Sequence, residues 1–282
     1  MSPFGGGRGR NENYYLCISI IMSKFFTYAY LLLLLRYLII AGVFFLIFYV
    51  IKPKRFLKLR IQNAFPKRKD YYREIGYSLL SFIFFALFAI VVFRTPLKNH
   101  TLIYDHISQY GWGYFILSII LALAIHDAYF YWTHRLMHHP KLFKAFHLVH
   151  HKSTNPSPWA AFTFHPLEAM VEAGILPVLV FIIPITKWAV LAFFLISTVI
   201  NVYGHLGYEI YPAWLIRSKV GKWLNTSVSH NMHHKYFNGN YSFYTRVWDV
   251  MMGTMHPDYD KSLDKVLGNN EATELNAPAS LA

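Results

Sequence analysis

Histidine is concentrated in two short segments of this sequence. Six of the chain's 15 histidines lie between His134 and His151, and three more lie between His230 and His234. Both segments contain the pattern His-x-x-His-His. Because helix positions i, i+3 and i+4 share one face, each such triplet is expected to present three imidazoles to a single point. Imidazole binds zinc, copper, iron and nickel, so the two segments predict metal binding.

Eight histidines are predicted to be metal ligands because of their spacing. They are His134, His138, His147, His150, His151, His230, His233 and His234. His134 and His138 are four residues apart and complete the set around two metal ions, with His139 as the alternative to His138. Four other histidines are expected to lie outside the site: His100, His106, His126 and His256.

Motifs that the sequence lacks narrow the chemistry of this site. The His-Glu-x-x-His motif of zinc hydrolases is absent, and so are the Glu-x-x-His pairs of carboxylate di-iron bundles. Haem needs only one or two axial histidines, fewer than are crowded here. The remaining interpretation is a histidine-rich site for two metals, with open positions at which O2 is activated against a strong C–H bond.

The composition is that of a membrane protein. Of the 282 residues, 55% are hydrophobic and only 15% are charged, whereas soluble domains carry about 25% charged residues. Lys and Arg outnumber Asp and Glu by 27 to 14, but the basic residues mostly flank apolar runs, which favours a membrane over nucleic acid as the partner. The single cysteine, Cys17, excludes a disulfide framework and a thiolate metal site.

Five apolar runs predict the membrane helices. They cover residues 25–51, 75–93, 112–132, 173–186 and 188–204. A spanning helix needs about 20 apolar residues, so the first three runs qualify, and the shorter last two are expected to form a tight helical hairpin deep in the bilayer. The predicted fold class is an all-α integral membrane protein, with four to five apolar helices and a cytoplasmic histidine-rich helical cap.

The distribution of Lys and Arg predicts the orientation. Nine of them lie in residues 52–73, after the first apolar run, whereas residues 95–111 contain only Lys98. Positively charged loops stay in the cytoplasm, which places the first loop inside and the second outside. Counting the spans onward then brings both histidine segments to the cytoplasmic face.

One membrane-embedded domain is expected, with a flexible segment at each end. The predicted domain covers residues 25–260, and its histidine cap is made from 133–164 and 205–260. Residues 1–24 are predicted to be a flexible extension and residues 261–282 a flexible tail. Within the cap, the apolar spacing in residues 211–225 predicts an amphipathic helix at the membrane interface.

Several further motifs accompany the histidines in a characteristic order. They are "HRLMHH" at 134–139, "FKAFHLVHHK" at 143–152, "FHPLE" at 164–168, "HNMHH" at 230–234 and "NYSFYTRVWDVMMGT" at 240–254. Over roughly residues 75–258 the sequence resembles the fatty acid hydroxylase and sterol desaturase superfamily. The resemblance implies two iron ions without haem, O2, a lipid substrate, and electrons from a reductase or a small carrier. It also implies that Asn201 and His205, in "NVYGH", add two ligands.

Carboxylates near these motifs are candidates to hold the ligands in place. Metal-bound imidazoles usually donate their second N–H to a carboxylate or a carbonyl. The carboxylate candidates are Asp127, Glu168, Glu209 and Asp249, and His165 is a further residue that could support the site. A helix cap is the alternative role for Asp249, and a structural turn is the alternative for His165.

Two other functions remain open from the sequence alone. One is a zinc-dependent membrane hydrolase, which would need no reductant. The other is a metal transporter, although a transporter would place its ligands near the middle of the bilayer rather than at its edge.

Overall fold

The computed structural model describes residues 8–51 and 53–268, and it describes side chains from residue 18 onward. The α-helices in this part of the chain are α1 (Arg8–Phe45), α2 (Arg68–Arg94), α3 (Gly111–Met137), α4 (Pro140–Phe146), α5 (Leu148–His151), α6 (Pro166–Ala173), α7 (Ile175–Ile182), α8 (Lys187–Gly204), α9 (Ala213–Ile216), α10 (Ser227–Tyr236), α11 (Val247–Met251) and α12 (Tyr259–Val266). A π-helical turn, Leu46–Ile51, continues α1. Two short strands, β1 (Ile103–Tyr104) and β2 (Ile185–Thr186), form a parallel pair.

Four helices in the described residues are long and apolar enough to cross a membrane. They are Ile18–Ile51, Arg68–Arg94, Gly111–Met137 and Lys187–Gly204. The prediction of an all-α integral membrane protein with a histidine-rich helical region is confirmed. The fourth apolar run of the sequence forms α7, which has only 8 residues and is too short to span.

The predicted hairpin is formed by α7 and α8, and the β1–β2 pair holds its turn. Ile185 pairs with Ile103, and the amide of Leu102 donates to the carbonyl of Val180 at 2.7 Å. The side chains of Leu179 and Phe193, one from each arm, are fully buried in the same apolar cluster. This packing fixes α8 against α3, and both helices carry histidines at their far ends.

The basic segment after α1 lies at the same end of the bundle as the histidines. The side-chain amide of Gln62 donates to the side-chain oxygen of Asn231 at 2.8 Å, and Arg73 donates to the hydroxyl of Ser153 at 3.1 Å. These contacts place residues 53–73 against the histidine cap.

A second apolar cluster supports the cap from outside the membrane helices. Val228 and Met232 of α10 are buried together with Tyr259 and Leu263 of α12.

The predicted boundary at residue 260 therefore falls within a helix that packs on α10. Residues 8–24 of the predicted extension lie in α1, whereas residues 1–7 and 269–282 lie outside the described part of the chain, so the domain limits stay predictions.

The prediction of one amphipathic helix over residues 211–225 is wrong. Only α9, with four residues, and a single 3-10 turn, Gly221–Trp223, are helical there. The chain folds back after α9, so that the carbonyl oxygen of Leu215 lies 1.8 Å from the position of a Cβ at Gly221. Apolar spacing suggested a helix, but this close approach requires a turn with glycine.

Candidate metal centre

Nine buried or half-buried histidines form two adjacent groups. Group 1 consists of His134, His138, His147, His151 and His233. Group 2 consists of His150, His205, His230 and His234. Within each group the ligand nitrogens all lie within 4.8 Å of one another, so each group is able to hold one metal ion.

Each His-x-x-His-His motif contributes to both groups, which corrects the expectation that a triplet meets at one point. In the first motif, His147 and His151 join group 1, whereas His150 joins group 2. The second motif reverses this division, since His233 joins group 1 whereas His230 and His234 join group 2. Residues at i and i+4 thus share a group, and the residue at i+3 crosses to the other one.

Helix ends determine which histidines enter the groups. His138 is the C-cap of α3 and belongs to group 1, whereas the next residue, His139, is exposed and is the N-cap of α4. Pro140 is the first residue of α4, where the absence of an N–H costs nothing, and Nδ1 of His139 accepts from the amide of Lys141. The structure therefore places His138, and not His139, among the other imidazoles.

Backbone carbonyls determine which nitrogen of several rings is free to bind a metal. Nδ1 of His134 lies 2.8 Å from the carbonyl oxygen of Tyr241, and Nδ1 of His233 lies 2.7 Å from that of Gly239. A carbonyl oxygen only accepts, so each Nδ1 must carry the proton. The opposite nitrogen, Nε2, then keeps its lone pair and is the atom that points into the group.

The Nε2 atoms within each group approach one another at distances that suit a shared cation. Nε2 of His151 lies 3.0 Å from Nε2 of His233 in group 1. In group 2, Nε2 of His205 lies 3.0 Å from Nε2 of His230. Two metal–nitrogen bonds of about 2.1 Å at a right angle place their nitrogens about 3.0 Å apart. The donor set therefore fits one metal ion in each group.

A left-handed turn after α10 brings one of these carbonyls into position. Phe237, Gly239 and Asn240 all have positive φ angles, of 64°, 74° and 54°. A Cβ at Gly239 would lie 2.7 Å from the carbonyl oxygen of Thr254. Glycine is thus required here for both its φ angle and its lack of a side chain, and its carbonyl receives the N–H of His233.

Burial keeps the histidines of the cap neutral, the form in which they bind metals. Loss of hydration lowers the pKa of His205 to about 4, and a hydrogen bond to the Asn201 carbonyl opposes this in part. Burial, and then the neighbouring His134, lower the pKa of His138 to about 2. The pKa values of His150 and His233 are also well below the usual range, with burial as the largest cause.

The sequence matches proteins of known families over the region that holds both groups. The profile of the fatty acid hydroxylase family matches residues 119–254. A Delta(7)-sterol 5(6)-desaturase of Gibberella zeae is 31% identical over 247 residues, which cover 86% of this chain and 69% of that protein. Another Delta(7)-sterol 5(6)-desaturase, from Aspergillus fumigatus, is 30% identical over 74% of this chain and 72% of that protein. The chain belongs to the fatty acid hydroxylase and sterol desaturase superfamily.

Relatives in this superfamily extend beyond the fungi. The lathosterol oxidase of Homo sapiens is 27% identical over 64% of this chain and 60% of that protein. These relatives are oxidoreductases by name. No solved structure matches the chain.

Two residues that the superfamily resemblance singled out have distinct places in the structure. Nε2 of His205 lies in group 2, and its Nδ1 lies 2.8 Å from the carbonyl oxygen of Asn201. The side-chain amide of Asn201 donates instead to the carbonyl of Ala161 at 2.6 Å. Asn201 therefore contacts the group through its backbone, and its side chain joins neither group.

Among the predicted supporting carboxylates, only Glu168 contacts a histidine side chain. Its Oε1 lies 2.6 Å from Nδ1 of His147. Asp249 accepts from the amides of Tyr241 and Ser242, and so it holds the segment whose carbonyl meets His134.

The remaining predicted supporting residues hold backbone segments instead. Asp127 binds the amide and hydroxyl of Thr245, and His165 caps α6 by accepting from the amide of Leu167. Glu209 accepts from the amides of Tyr211 and Val228 and from the hydroxyl of Tyr203.

Sequence reasoning missed three backbone carbonyls that lie within hydrogen-bond distance of a histidine Nδ1: that of Thr163 with His150, that of Gly239 with His233 and that of Tyr241 with His134. Every residue has a carbonyl, so no residue type marks these three.

An apolar cavity of about 470 Å³ begins beside both groups. Two of its lining residues, Phe130 and Phe164, touch the histidines: their ring centroids lie 4.9 Å from His134 and 5.3 Å from His150. Both Lys187 and Asn201 line the cavity, and Asn201 lies 14 positions after Lys187 along α8, which corresponds to about 21 Å. The cavity thus runs from the histidines along most of the length of α8.

Proposed function

We propose that the protein is an O2-dependent oxidoreductase that desaturates or hydroxylates a membrane lipid at a di-iron centre without haem. The observation that carries this proposal is the position of the cavity. One end of an elongated apolar space is lined by Phe130 and Phe164, whose rings contact one histidine from each group, so a lipid inside it would lie one aromatic side chain away from both metal positions. Membership of a superfamily whose named relatives are sterol desaturases and oxidases supports the same reaction class.

The five histidines of group 1 would hold one ion and the four of group 2 the other. When bound, the two iron ions supply the capacity to activate O2 for removal of hydrogen from an unactivated carbon. Desaturation consumes O2 and an external electron pair and forms two water molecules, whereas hydroxylation leaves one oxygen atom in the lipid. Either outcome therefore requires a reductase or a small electron carrier as a partner.

The side chains of the protein orient the ligands and exclude water. Carbonyl and carboxylate partners fix the rings of His134, His147 and His233, so that each Nε2 points inward. Phe130 and Phe164 separate the histidines from the rest of the cavity and offer a lipid an apolar contact.

A sterol is the first substrate class to test, because the relatives from two fungi are named for Delta(7)-sterols. We also propose that the histidine cap faces the cytoplasm. The nine basic residues in 52–73 support this orientation, since the described part of that segment packs against the cap.

The test is turnover of Delta(7)-sterols by membranes containing the protein, with and without oxygen. Mass spectrometry is expected to find a product that has lost two hydrogens or gained one oxygen, formed only with O2 and a reducing system. Membranes with His138→Ala should give no product, and membranes with His139→Ala serve as the matched control. The same product formed equally without O2 would contradict an oxygenase, whereas a cleavage product that needs neither O2 nor the reducing system would favour a hydrolase.

A further inference from the structure

Two aromatic side chains connect group 1 to the surface of the cap. The ring centroid of Phe143 lies 5.2 Å from that of His138 and 5.5 Å from that of His151. The ring of Phe237 lies 4.8 Å from that of His151 and 6.0 Å from that of Phe143. Phe143 is half-buried and Phe237 is 36% exposed, so a single layer of aromatic rings separates these histidines from the outside.

Phe237 occupies its position in a backbone conformation that is costly for a large side chain. It is the C-cap of α10, and its φ angle of 64° lies in the left-handed region. Glycine or asparagine is the usual residue at such a helix end. A bulky residue in this conformation is an outlier, and outliers of this kind are found preferentially at functional sites. We therefore looked for a role of the partly exposed Phe237 ring at the surface.

The two rings lie outside the apolar cavity. Neither Phe143 nor Phe237 lines that cavity, which approaches the histidines through Phe130 and Phe164 instead. The histidine groups are thus flanked by two separate sets of aromatic side chains, one in the cavity and one at the surface of the cap. A molecule bound at the surface would not compete with a lipid in the cavity.

The surface beside the two rings is positively charged. Segments 128–167 and 210–248, which contain most of the cap, hold nine Lys and Arg and no Asp or Glu. Four exposed lysines of these segments lie next to the two rings or the group 1 histidines in the sequence: Lys141, Lys144, Lys152 and Lys235. None of the four forms an ion pair in the described part of the chain. The two rings and these four lysines are called the aromatic–lysine face below.

We propose that the aromatic–lysine face is the docking surface for an acidic electron-carrier protein. This inference rests on the proposed function, because it is the oxygenase reaction that needs an external electron pair. A positive surface attracts a partner of negative surface charge, which speeds the encounter and selects its orientation. The partly exposed rings offer the carrier an apolar contact directly above group 1.

The electron requirement suits a small carrier that binds and leaves quickly. In a desaturation, two electrons and two protons, together with the two hydrogens removed from the lipid, convert one O2 into two water molecules. A one-electron carrier is oxidised once at each docking, so each turnover needs two dockings. Encounters of this kind bury a small interface, below about 1,200 Å², and their charge contacts weaken as salt is added.

The docking site is mapped without turnover, by carbodiimide coupling of the whole protein in phosphatidylcholine nanodiscs. Carbodiimide joins a carboxylate of the carrier to a lysine that touches it, and mass spectrometry identifies the lysine. The acidic probe is a plant-type [2Fe–2S] ferredoxin, and cytochrome c, a basic one-electron carrier, is the control. Ferredoxin is expected to couple to lysines of the aromatic–lysine face and not to Lys58 or Lys67, which are equally exposed in the other basic segment, whereas cytochrome c should couple to neither.

Charge reversal tests the same surface by affinity. Lys144→Glu combined with Lys235→Glu should weaken ferredoxin binding at least about tenfold, which corresponds to about 1.4 kcal/mol. The matched control, Lys58→Glu combined with Lys67→Glu, changes the net charge equally and should stay within about threefold of the wild type in 0.15 M salt, where distant charges are screened. Coupling of the unaltered protein gives an answer even if a variant fails to fold.

Coupling confined to Lys58 and Lys67, or an equal loss of affinity in both double variants, overturns the proposal, because net charge alone then attracts the carrier. Anionic lipid is the other occupant to test. If phosphatidylserine in the nanodiscs shields the four lysines of the face from acetylation and ferredoxin shields none of them, the face binds the membrane and the proposal is overturned as well.

The docking proposal and the proposed function fail separately. Protein that couples ferredoxin at the aromatic–lysine face but oxidises no lipid contradicts the oxygenase and leaves the docking surface standing. Protein that oxidises a lipid with dithionite as the electron source, but couples no ferredoxin at this face, overturns the docking surface alone.

Discussion

Two adjacent histidines at the end of α3 have different surroundings, and this difference provides a residue-scale test. His138 lies in group 1, whereas His139 is exposed and caps α4. Replacing His138 by alanine should abolish turnover and reduce bound metal, because it removes one nitrogen of the group. His139→Ala should keep its metal and most of its activity, as measured by elemental analysis and turnover on the same preparations. Equal metal loss in both variants would show that metal binding depends on the local fold at the end of α3 and not on the nitrogen of the His138 ring.

Glu168 provides a second residue-scale prediction, because it is the carboxylate that contacts a ligand ring. Its Oε1 lies 2.6 Å from Nδ1 of His147. Glu168→Gln keeps the size of the side chain but replaces the carboxyl oxygen opposite Nδ1 of His147 by a weaker amide acceptor, so turnover should fall by roughly 10- to 100-fold, as for other supporting residues of metal sites. The control is Glu209→Gln, another buried carboxylate, which touches no histidine side chain. A Glu168→Gln protein with full activity and full metal content would leave the carboxylate without a role in catalysis.

Residue types and spacing predicted eight of the nine grouped histidines, and the superfamily resemblance added His205, but the sequence could not assign them to groups. The crossing of His150 and His233 to the opposite groups depends on how α5 and α10 face each other. That relation is set by tertiary packing, and helical spacing within one segment does not contain it. The same limit applies to Asn201, for which the superfamily resemblance implied a ligand role, whereas in the structure its backbone carbonyl contacts His205.

At the scale of elements, the left-handed turn after α10 couples backbone geometry to the metal site. Gly239 and Gly253 both have positive φ angles, of 74° and 65°, but only Gly239 would bring a Cβ against a neighbouring carbonyl. Gly253→Ala should therefore cost only the conformational penalty, about 1–2 kcal/mol. Gly239→Ala should cost more and should also lower metal content, because the carbonyl that orients His233 must move. Thermal unfolding and elemental analysis of the two variants check this, and equal effects would contradict a link between the turn and the metal.

Long apolar elements were predictable, whereas short elements were not. The first three runs correspond to α1, α2 and α3, because about 20 apolar residues leave few alternatives to a spanning helix. The proposed helix over residues 211–225 failed because its apolar spacing is equally compatible with a folded-back turn around Gly221. An amphipathic helix and a folded-back turn both bury apolar residues on one side, so both give a similar spacing of apolar residues in the sequence.

At the scale of the whole molecule, the basic segment and the cap should face the cytoplasm together. After Cys17→Ser, single cysteines are placed at the exposed positions Lys67→Cys, Lys152→Cys and Lys235→Cys, and at Asn99→Cys in the opposite loop. A membrane-impermeant reagent added to intact cells should label only the position in the opposite loop. Labelling at Lys67 and both cap positions, without labelling at Asn99, would invert the orientation. Labelling at only one of the two cap positions would contradict a shared face for the histidines.

The central claim is that one chain holds two iron ions between its two histidine groups, and metal quantification tests it most directly. Elemental mass spectrometry of purified, active protein should find close to two transition-metal ions per chain, with activity proportional to iron. Zinc is expected to displace iron after strong overexpression, since it binds such ligands more tightly than Fe(II), and activity should then fall while the total stays near two. Fully active protein with one metal ion per chain, or with none, would contradict the account.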